Sequence, residues 1–440
     1  MSAFWYYVIQ LSAFAAGTAV LAMLGRRNAP WAAQAAVAAL MSAAMAVFMF
    51  RISEPPDLFA DYYKAYDPAA RAVLAQDAAG GLAETMIAGA GGFVNLPVIA
   101  FLFAPFGLLP PVAAGYAFFL CGLAATIATW HFLSRLAGLD RGQSLFFLFF
   151  LACNGPLCNS LREGNTTHFI LLLLVAGLWA LRGGRDFLAG LVFGAAALIK
   201  LPLLLLGVYF FARGRWRVAM GGASICALAA VSSLLVFGWD LHVHWYEHSI
   251  KPFAGTPLAA FNAQSVQAFL ARLQYGGQYL KDWTPHAVHP LVGQAARLVV
   301  GLLMAAAAAV IFLPERWRGK AAERAPASSV IEIETCIVVL LATVISTVSW
   351  THYYLWVLLP AAYVIGGALK AQSLKPLTIP AWLALIGAMP VVVFLKTDSA
   401  WLRTIYSYLA VSHYLIAALL LFAVLLLARW RTLPAAPVKE

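Results

Sequence analysis

Charge is scarce in this sequence. Only 11% of its 440 residues are Asp, Glu, Lys or Arg, and 18 of them are acidic. Ordinary soluble domains carry about a quarter charged residues. Cysteine is scarce too. Cys121, Cys153, Cys158, Cys226 and Cys336 all fall in or beside apolar runs. An odd number buried in lipid reads as small apolar residues and not as a disulfide frame. No GxxxxGK[ST] occurs and no GxGxxG follows a strand, which weighs against a nucleotide cradle. HExxH is missing as well. No internal repeat is evident, which speaks against many transporter folds.

What the chain has in excess is apolar surface, at 63% of residues. A transmembrane helix needs about 20 mostly apolar residues. Segments 4–24, 31–50, 112–133, 218–238, 291–313, 329–349 and 409–428 qualify, with shorter candidates at 95–109, 353–369 and 379–396. The expected fold is all-α and integral to the membrane: one domain over 1–440, with about 11 to 13 membrane segments, some short or broken. Unbroken apolar runs exclude barrel strands, which alternate. The first run lacks the basic start and cleavage pattern of a removed signal.

The net charge of +11 does not point to nucleic acid, because Lys and Arg sit in short turns with no basic domain. They serve better to orient the helices. With Arg26–Arg27 inside, loop 51–92 is external, 239–290 is the second large external loop, and 429–440 is a short cytoplasmic tail. Keeping the turns at Arg182/Arg185, Arg213/Arg215/Arg217, Arg316/Arg318/Lys320/Arg324, Lys370/Lys375 and Arg429/Arg431 inside requires two breaks. In "ALIKLPLLLL", residues 197–206, Lys200 and Pro202 split the run into two short helices meeting near the external face. In "FLACNGPLCNSLREGNTTHF", residues 150–169, Asn154-Gly155-Pro156 predicts a short in-and-out pair.

One membrane face then gathers Asp57, Asp61, Glu163, Asn165, His168, Lys200, Asn262, Gln264, Arg272 and His352. Ionisable groups at membrane depth are costly and so are functional candidates. Each has a plainer reading. Asp57 and Asp61 would be solvated loop acids, and Lys200 would snorkel to headgroups. His352 would join an aromatic belt with Trp350, Tyr353 and Tyr354. His168 would bond backbone, Asn262 and Gln264 would cap "SVQAFLARL", and Arg272 would be a surface charge. Asp67-Pro68 reads as an N-cap with proline at N1, opening an amphipathic juxtamembrane helix over about 67–77. Glu332 and Glu334 read as orienting or packing groups on the cytoplasmic side. His242, His244 and His248 with Glu247 do not share a helical face, so neither a metal nor any other cofactor is expected.

A carboxylate beside cations suits deprotonation of a hydroxyl opposite an anionic leaving group. Lys, His and Arg suit a phosphate, and a phosphate at a membrane surface usually belongs to a lipid. A lipid-linked phosphate donor and a hydroxyl acceptor meeting at one carboxylate describe a glycosyl transfer.

Six stretches carry a family resemblance in order: "DYYKAYDPAARAVL", "GFVNLPVIAFLFAPFGLLP", "EGNTTHFILLLL", "AGLVFGAAALIKLPLLLLGVYFFARGRWR", "FNAQSVQAFLARL" and "SWTHYYLWVLLPAAY". Over roughly residues 50–360 the chain resembles the GT-C superfamily of polytopic membrane glycosyltransferases, closest to glycosyltransferase family eighty-seven. The resemblance implies a polyprenyl-phosphate sugar donor, a glycolipid or glycan acceptor, and transfer with inversion at the external face of a bacterial-type inner or plasma membrane. Mannose and a pentose such as arabinose both fit. An aspartate of the first external loop would be the general base. That role falls on Asp61, before Tyr62 and the "AARAVL" run, or on Asp57, where the family often reads Asp-Phe. Lys200, His352, His168 and Arg272 would hold the donor phosphate. Asn165, Glu163, Asn262, Gln264 and Trp350 would hold sugar or acceptor. The rival readings are a polyprenyl-linked sugar flippase or transporter and a non-catalytic lipid-binding envelope protein.

Overall fold

The computed structural model describes residues 3–51, 58–313, 323–325, 327–367, 375–386 and 399–434. The chain is an all-α integral membrane protein. Among the described residues seven helices are each long and apolar enough to cross a bilayer, and one bent pair adds an eighth span. In chain order the helices are α1 (Ala3–Arg26), α2 (Trp31–Arg51), the short α3 (Asp67–Leu74), α4 (Ala78–Met86) and α5 (Ala104–Gly107), then α6 (Pro111–Leu136), α7 (Arg141–Cys153), α8 (Gly155–Arg162), α9 (Thr167–Arg182) and α10 (Asp186–Ile199). There follow α11 (Leu205–Ala212), α12 (Trp216–Trp245), α13 (Val266–Tyr275), α14 (Pro290–Phe312), α15 (Ala327–Ile345), α16 (Leu358–Gly366), α17 (Lys375–Ala384), α18 (Ala400–Ile405) and α19 (His413–Trp430). Two three-residue strands, Glu323–Ala325 and Thr432–Pro434, pair in parallel and set the chain before α15 beside the end of α19.

The run at Lys200 breaks as its sequence requires. Helix α10 stops at Ile199, a 3₁₀ turn covers Leu201–Leu204, and α11 resumes at Leu205. Asp186 at the start of α10 and Arg215 after α11 form an ion pair of 3.2 Å. The hairpin is thus closed at its base, with Lys200 at its apex. Small residues let α10 lie close on α12: a Cβ at Gly190 would meet the Val218 carbonyl oxygen at 2.0 Å.

The opposite end of the bundle is an arginine face. Arg182 at the end of α9 grips Glu332 through two hydrogen bonds of 2.8 and 2.7 Å. Glu334 receives two from Arg213, both 2.8 Å, one from Arg429 at 2.6 Å and one from the Tyr209 hydroxyl at 2.8 Å. The ends of α9, α11 and α19 therefore converge on α15, and Glu332 and Glu334 are packing groups. From His168 to Arg182 α9 rises roughly 21 Å, which sets His168 at the opposite end of the bundle from this cluster.

Three expectations need correction. The 150–169 stretch is not an in-and-out pair. Helices α7 and α8 meet at a bend of 55°, where the Asn154 side chain accepts from Leu157 N–H at 2.9 Å and the chain is redirected without being reversed. Segment 95–109 does not cross. Pro97 and Pro105 leave it a 3₁₀ turn and one α turn, and Arg71 fastens its end beside α3 by donating to the carbonyls of Gly107 and Leu109 at 3.3 and 2.9 Å. Asp67 is not an N-cap. The helix already runs before it, through a wide π-type turn at Tyr62–Tyr66, and the Asp67 carboxylate pairs with Arg71 at 3.0 Å.

Candidate functional site

The site starts from a backbone lock between two distant stretches. Phe59 N–H donates to the Arg162 carbonyl at 2.7 Å, and the N–H groups of Asp61 and Tyr62 both donate to the Glu163 carbonyl, at 2.8 and 3.2 Å. Phe59 is held at φ 62°, a conformation costly for a bulky residue and concentrated at functional sites. Gly164 answers it at φ +66°, with room for no side chain. The π-type turn that follows Asp61 is a further local departure of the kind found at functional sites.

On this lock the side chains assemble. The Asn165 amide donates to Asp61 Oδ2 at 2.6 Å, bridging positions 104 residues apart. The Asn165 carbonyl oxygen accepts from Lys200 Nζ at 3.3 Å, from Thr167 N–H at 3.2 Å and from the Thr167 hydroxyl at 2.7 Å. The Lys200 ammonium stands 4.8 Å from the centroid of the Tyr353 ring, within cation–π range. His168 shares a 3.0 Å hydrogen bond with Ser160 through Nδ1. Its Nε2 is buried without a hydrogen-bond partner among the described residues, as is Nε2 of His352. Gly122 leaves the space that His168 fills, since a Cβ there would lie 2.3 Å from Nε2. Lys200 and His168 are both electrostatic neighbours of His352.

Asp61 belongs to the loop ahead of α3, outside the spans. Burial lifts its carboxyl above the usual carboxylate range, while the Asn165 hydrogen bond and the Lys200 and Lys64 charges oppose that lift. Its Oδ1 has no protein donor among the described residues.

Beside this cluster lies a cavity of about 400 Å³. Its walls come from 94–96, 198–202, 249–254 and 346–353. Lys200, Asn95, Ser249, Trp350 and Tyr353 are polar or amphipathic groups on it, and Leu198, Ile199, Leu201, Ile250, Phe253 and Val348 make it mainly apolar. Asp61 is not a lining residue. It reaches the cavity through Asn165 and Lys200.

One wall is clasped in place by α12. That helix kinks at Gly238, φ 74°. Beyond the kink Trp245 donates to the Val94 carbonyl at 3.0 Å and the His244 ring bonds the Ala83 carbonyl at 3.1 Å. His242 bonds Gly238 O at 2.7 Å and Ser233 Oγ at 2.8 Å, and Ser233 Oγ accepts from Val98 N–H at 3.2 Å. His248 bonds the His244 carbonyl at 2.9 Å and its ring stacks on that of His244. Among the described residues no three His, Cys, Asp or Glu side chains converge on one point.

Asp61, Asn165, His168, Lys200 and His352 are therefore brought together, and Trp350 shares the cavity wall with Lys200. The remaining sequence candidates sit differently. Glu163 contributes its backbone carbonyl, while its side chain pairs with Arg162 at 3.0 Å. Asn262 accepts from Trp283 Nε1 at 2.9 Å. Gln264 donates to the carbonyls of Phe261 and Val411, both at 2.7 Å. Neither caps α13, because Ser265 does so by accepting from Ala268 N–H at 3.0 Å. Arg272 is no surface charge. It is fully buried and donates to the carbonyls of Ala260 and Ala263, at 3.0 and 2.6 Å, and to Ser412 Oγ at 3.1 Å. Asn262, Gln264 and Arg272 tie loop 258–264 to its neighbours, and an isolated antiparallel bridge from Ala263 to Trp350 hands that order to the cavity wall. Asp57 lies outside the described residues. Sequence reasoning missed Asn95, Ser249, Tyr353 and Gly164. The signal for Asn95 was a lone amide inside "FVNLPVIAFL"; Tyr353 was hidden among its aromatic neighbours.

Comparison with known proteins adds an independent line. The sequence model of glycosyltransferase family 87 matches residues 93–346. That match includes Asn165, His168 and Lys200 but neither Asp61 nor His352. A polyprenol-phosphate-mannose-dependent alpha-(1-2)-phosphatidylinositol pentamannoside mannosyltransferase of Mycolicibacterium smegmatis is 24% identical over 295 residues, covering 67% of this chain and 66% of the relative. A polyprenol-phosphate-mannose-dependent alpha-(1-2)-phosphatidylinositol mannoside mannosyltransferase of Mycobacterium tuberculosis is 25% identical over 292 residues, covering 62% of each. The chain thus spans just under two thirds of the length of these curated relatives. No solved structure matches it.

Proposed function

The chain belongs to glycosyltransferase family 87, and on that premise we propose that it transfers a sugar from a polyprenyl-phosphate donor to a hydroxyl of an envelope glycolipid, with inversion, at the external face of a bacterial inner or plasma membrane. The relatives' names favour mannose as the sugar and a phosphatidylinositol mannoside as the acceptor class. The observation that carries the reading is the Asp61–Asn165–Lys200 chain at the edge of a mainly apolar cavity. A carboxylate with one open oxygen, a buried cation and greasy walls are the three parts that such a transfer needs.

The acceptor hydroxyl gives its proton to Asp61 Oδ1 as its oxygen attacks the anomeric carbon. The bond from that carbon to the phosphate oxygen breaks, and polyprenyl monophosphate leaves. Lys200 meets the phosphate charge and His352 supplies a neighbouring ring nitrogen. Attack opposite the leaving group inverts the anomeric centre. The apolar wall of Leu198, Ile199, Leu201, Ile250, Phe253 and Val348 takes the start of the lipid chain. No step is assigned to a metal.

The test is transfer in lipid nanodiscs. Purified protein receives polyprenyl-phosphate mannose and a phosphatidylinositol mannoside, and the products are read by mass spectrometry. A mannosylated acceptor supports the reading. Movement of the donor lipid across vesicle bilayers without any glycosidic product would favour the flippase reading instead.

A further inference from the structure

Among the described residues Asn165 is the only side chain that hydrogen-bonds both the carboxylate and the cation of the site, and its orientation is not free. Its carbonyl oxygen faces three donors: Lys200 Nζ, Thr167 N–H and the Thr167 hydroxyl. The Lys200 ammonium and the Thr167 N–H can only donate and so cannot face an NH₂ group, and the amide nitrogen must therefore face Asp61, where it donates at 2.6 Å. Thr167 opens α9, and both of its contacts to Asn165 Oδ1 fix that amide to the helix start. A second lock acts on the acid itself, whose N–H is held by the Glu163 carbonyl two residues away from Asn165.

We propose that Asn165 is a positioning residue for the transfer. It holds Asp61 Oδ2 so that Oδ1 is presented to the acceptor hydroxyl, and it holds Lys200 at a fixed distance from that acid. This rests on the reading of Asp61 as base and Lys200 as the donor-phosphate cation. It replaces a sugar-reading role for Asn165, whose carbonyl is saturated and which keeps one N–H for any other contact.

The groups facing Asp61 set the expected pH behaviour. From its own segment come Lys64 and Tyr66, from the turn before α9 the Asn165 amide, from the hairpin apex Lys200, and from the stretch after α15 Tyr353. His168 and His352 lie beyond Lys200. A hydrogen bond to the charged form of an acid favours that form. Asn165→Ala removes the bond, so protonation of Asp61 sets in at higher pH. Because the base acts ionised, the acid limb of kcat moves to higher pH. Loss of alignment lowers kcat at its optimum on the order of 10²-fold, while donor KM changes little because Lys200 keeps its charge and its Tyr353 contact.

The experiment measures kcat, donor KM and the pH profile of nanodisc-embedded wild type, Asn165→Ala and Asn165→Asp. The aspartate variant keeps the shape of the amide but sets a carboxyl against Asp61, so it moves the acid limb in the same direction with the fold least disturbed. A kcat loss with an acid limb displaced upward in both variants supports the proposal. A raised acceptor or donor KM with unchanged kcat and unchanged pH profile overturns it in favour of sugar contact. A kcat loss with no displacement of the acid limb in either variant also overturns it, since that is what misfolding alone produces. Absence of transfer by the wild type removes the premise itself, and is distinguishable from every variant effect.

Discussion

Gly164 lies so close to Tyr62 that a Cβ added at the glycine would fall 2.7 Å from the tyrosine's Cβ. This contact joins the first loop to the turn before α9, and it sets Asp61 beside Asn165. Gly164 also has φ +66°, where an L side chain costs about 1–2 kcal/mol. Gly164→Ala should lower both the unfolding temperature and the transfer rate. Gly183→Ala, at ordinary φ with its nearest atoms at 3.5 Å, should do neither. Parallel thermal unfolding in detergent and nanodisc transfer assays check the pair.

Lys200 offers its charge to a phosphate while Asn165 and Tyr353 hold it. Lys200→Ala should weaken donor binding, read as a raised donor KM and a loss of retained labelled donor in a pull-down. An unchanged donor affinity would remove the residue from the phosphate site.

At the arginine face Glu334 is wholly buried between Arg213 and Arg429. Removing one partner of a buried ion pair costs about 3–5 kcal/mol, because the other charge is left uncompensated. Glu334→Ala should therefore destabilise the bundle strongly. Glu332→Ala should cost less, since the charge it leaves behind, Arg182, is 38% exposed and solvent screens it. Denaturation midpoints of the two variants in one detergent test the ranking.

The acid limb of activity follows from the site. Burial raises Asp61 above the ordinary carboxylate range. A base is active when ionised, so turnover should fall as pH drops through that raised value, at a higher pH than a solvated aspartate would give. Replacing Lys200 by Met removes a charge that holds the acid down and should shift the limb upward again. A pH–rate profile at saturating donor and acceptor measures both.

Much of this arrangement was legible in the sequence, for physical reasons. A lysine and a proline cannot sit in mid-bilayer helix without a break, so the hairpin apex at Lys200 followed from cost alone. The turns at Arg182, Arg213 and Arg429 were read as sharing a face, and their partners Glu332 and Glu334 on α15 bring those three together. The bend at Asn154 was visible as a turn signal but not as a bend, because an asparagine cap with proline after it can either reverse a chain or tilt it. The 95–109 stretch looked long enough to enter the membrane, and only the Arg71 contacts reveal that it stays beside α3. Asp67 read as a cap because the π-type turn before it leaves no mark in composition. Arg272 read as surface because its partners are backbone carbonyls, which no residue pattern announces. The link through Asn165 was invisible for a related reason: it depends on which way one amide faces.

The most direct measurement compares transfer by wild type, Asp61→Asn and Asp57→Ala in nanodiscs with saturating donor, together with donor retention. A general base contributes about 10²–10⁴-fold. Asp61→Asn should lose transfer by that order while still retaining donor, and Asp57→Ala should stay within a few-fold of wild type. Full transfer by Asp61→Asn, above all if Asp57→Ala is the inactive one, would contradict the assignment of Asp61 as the base.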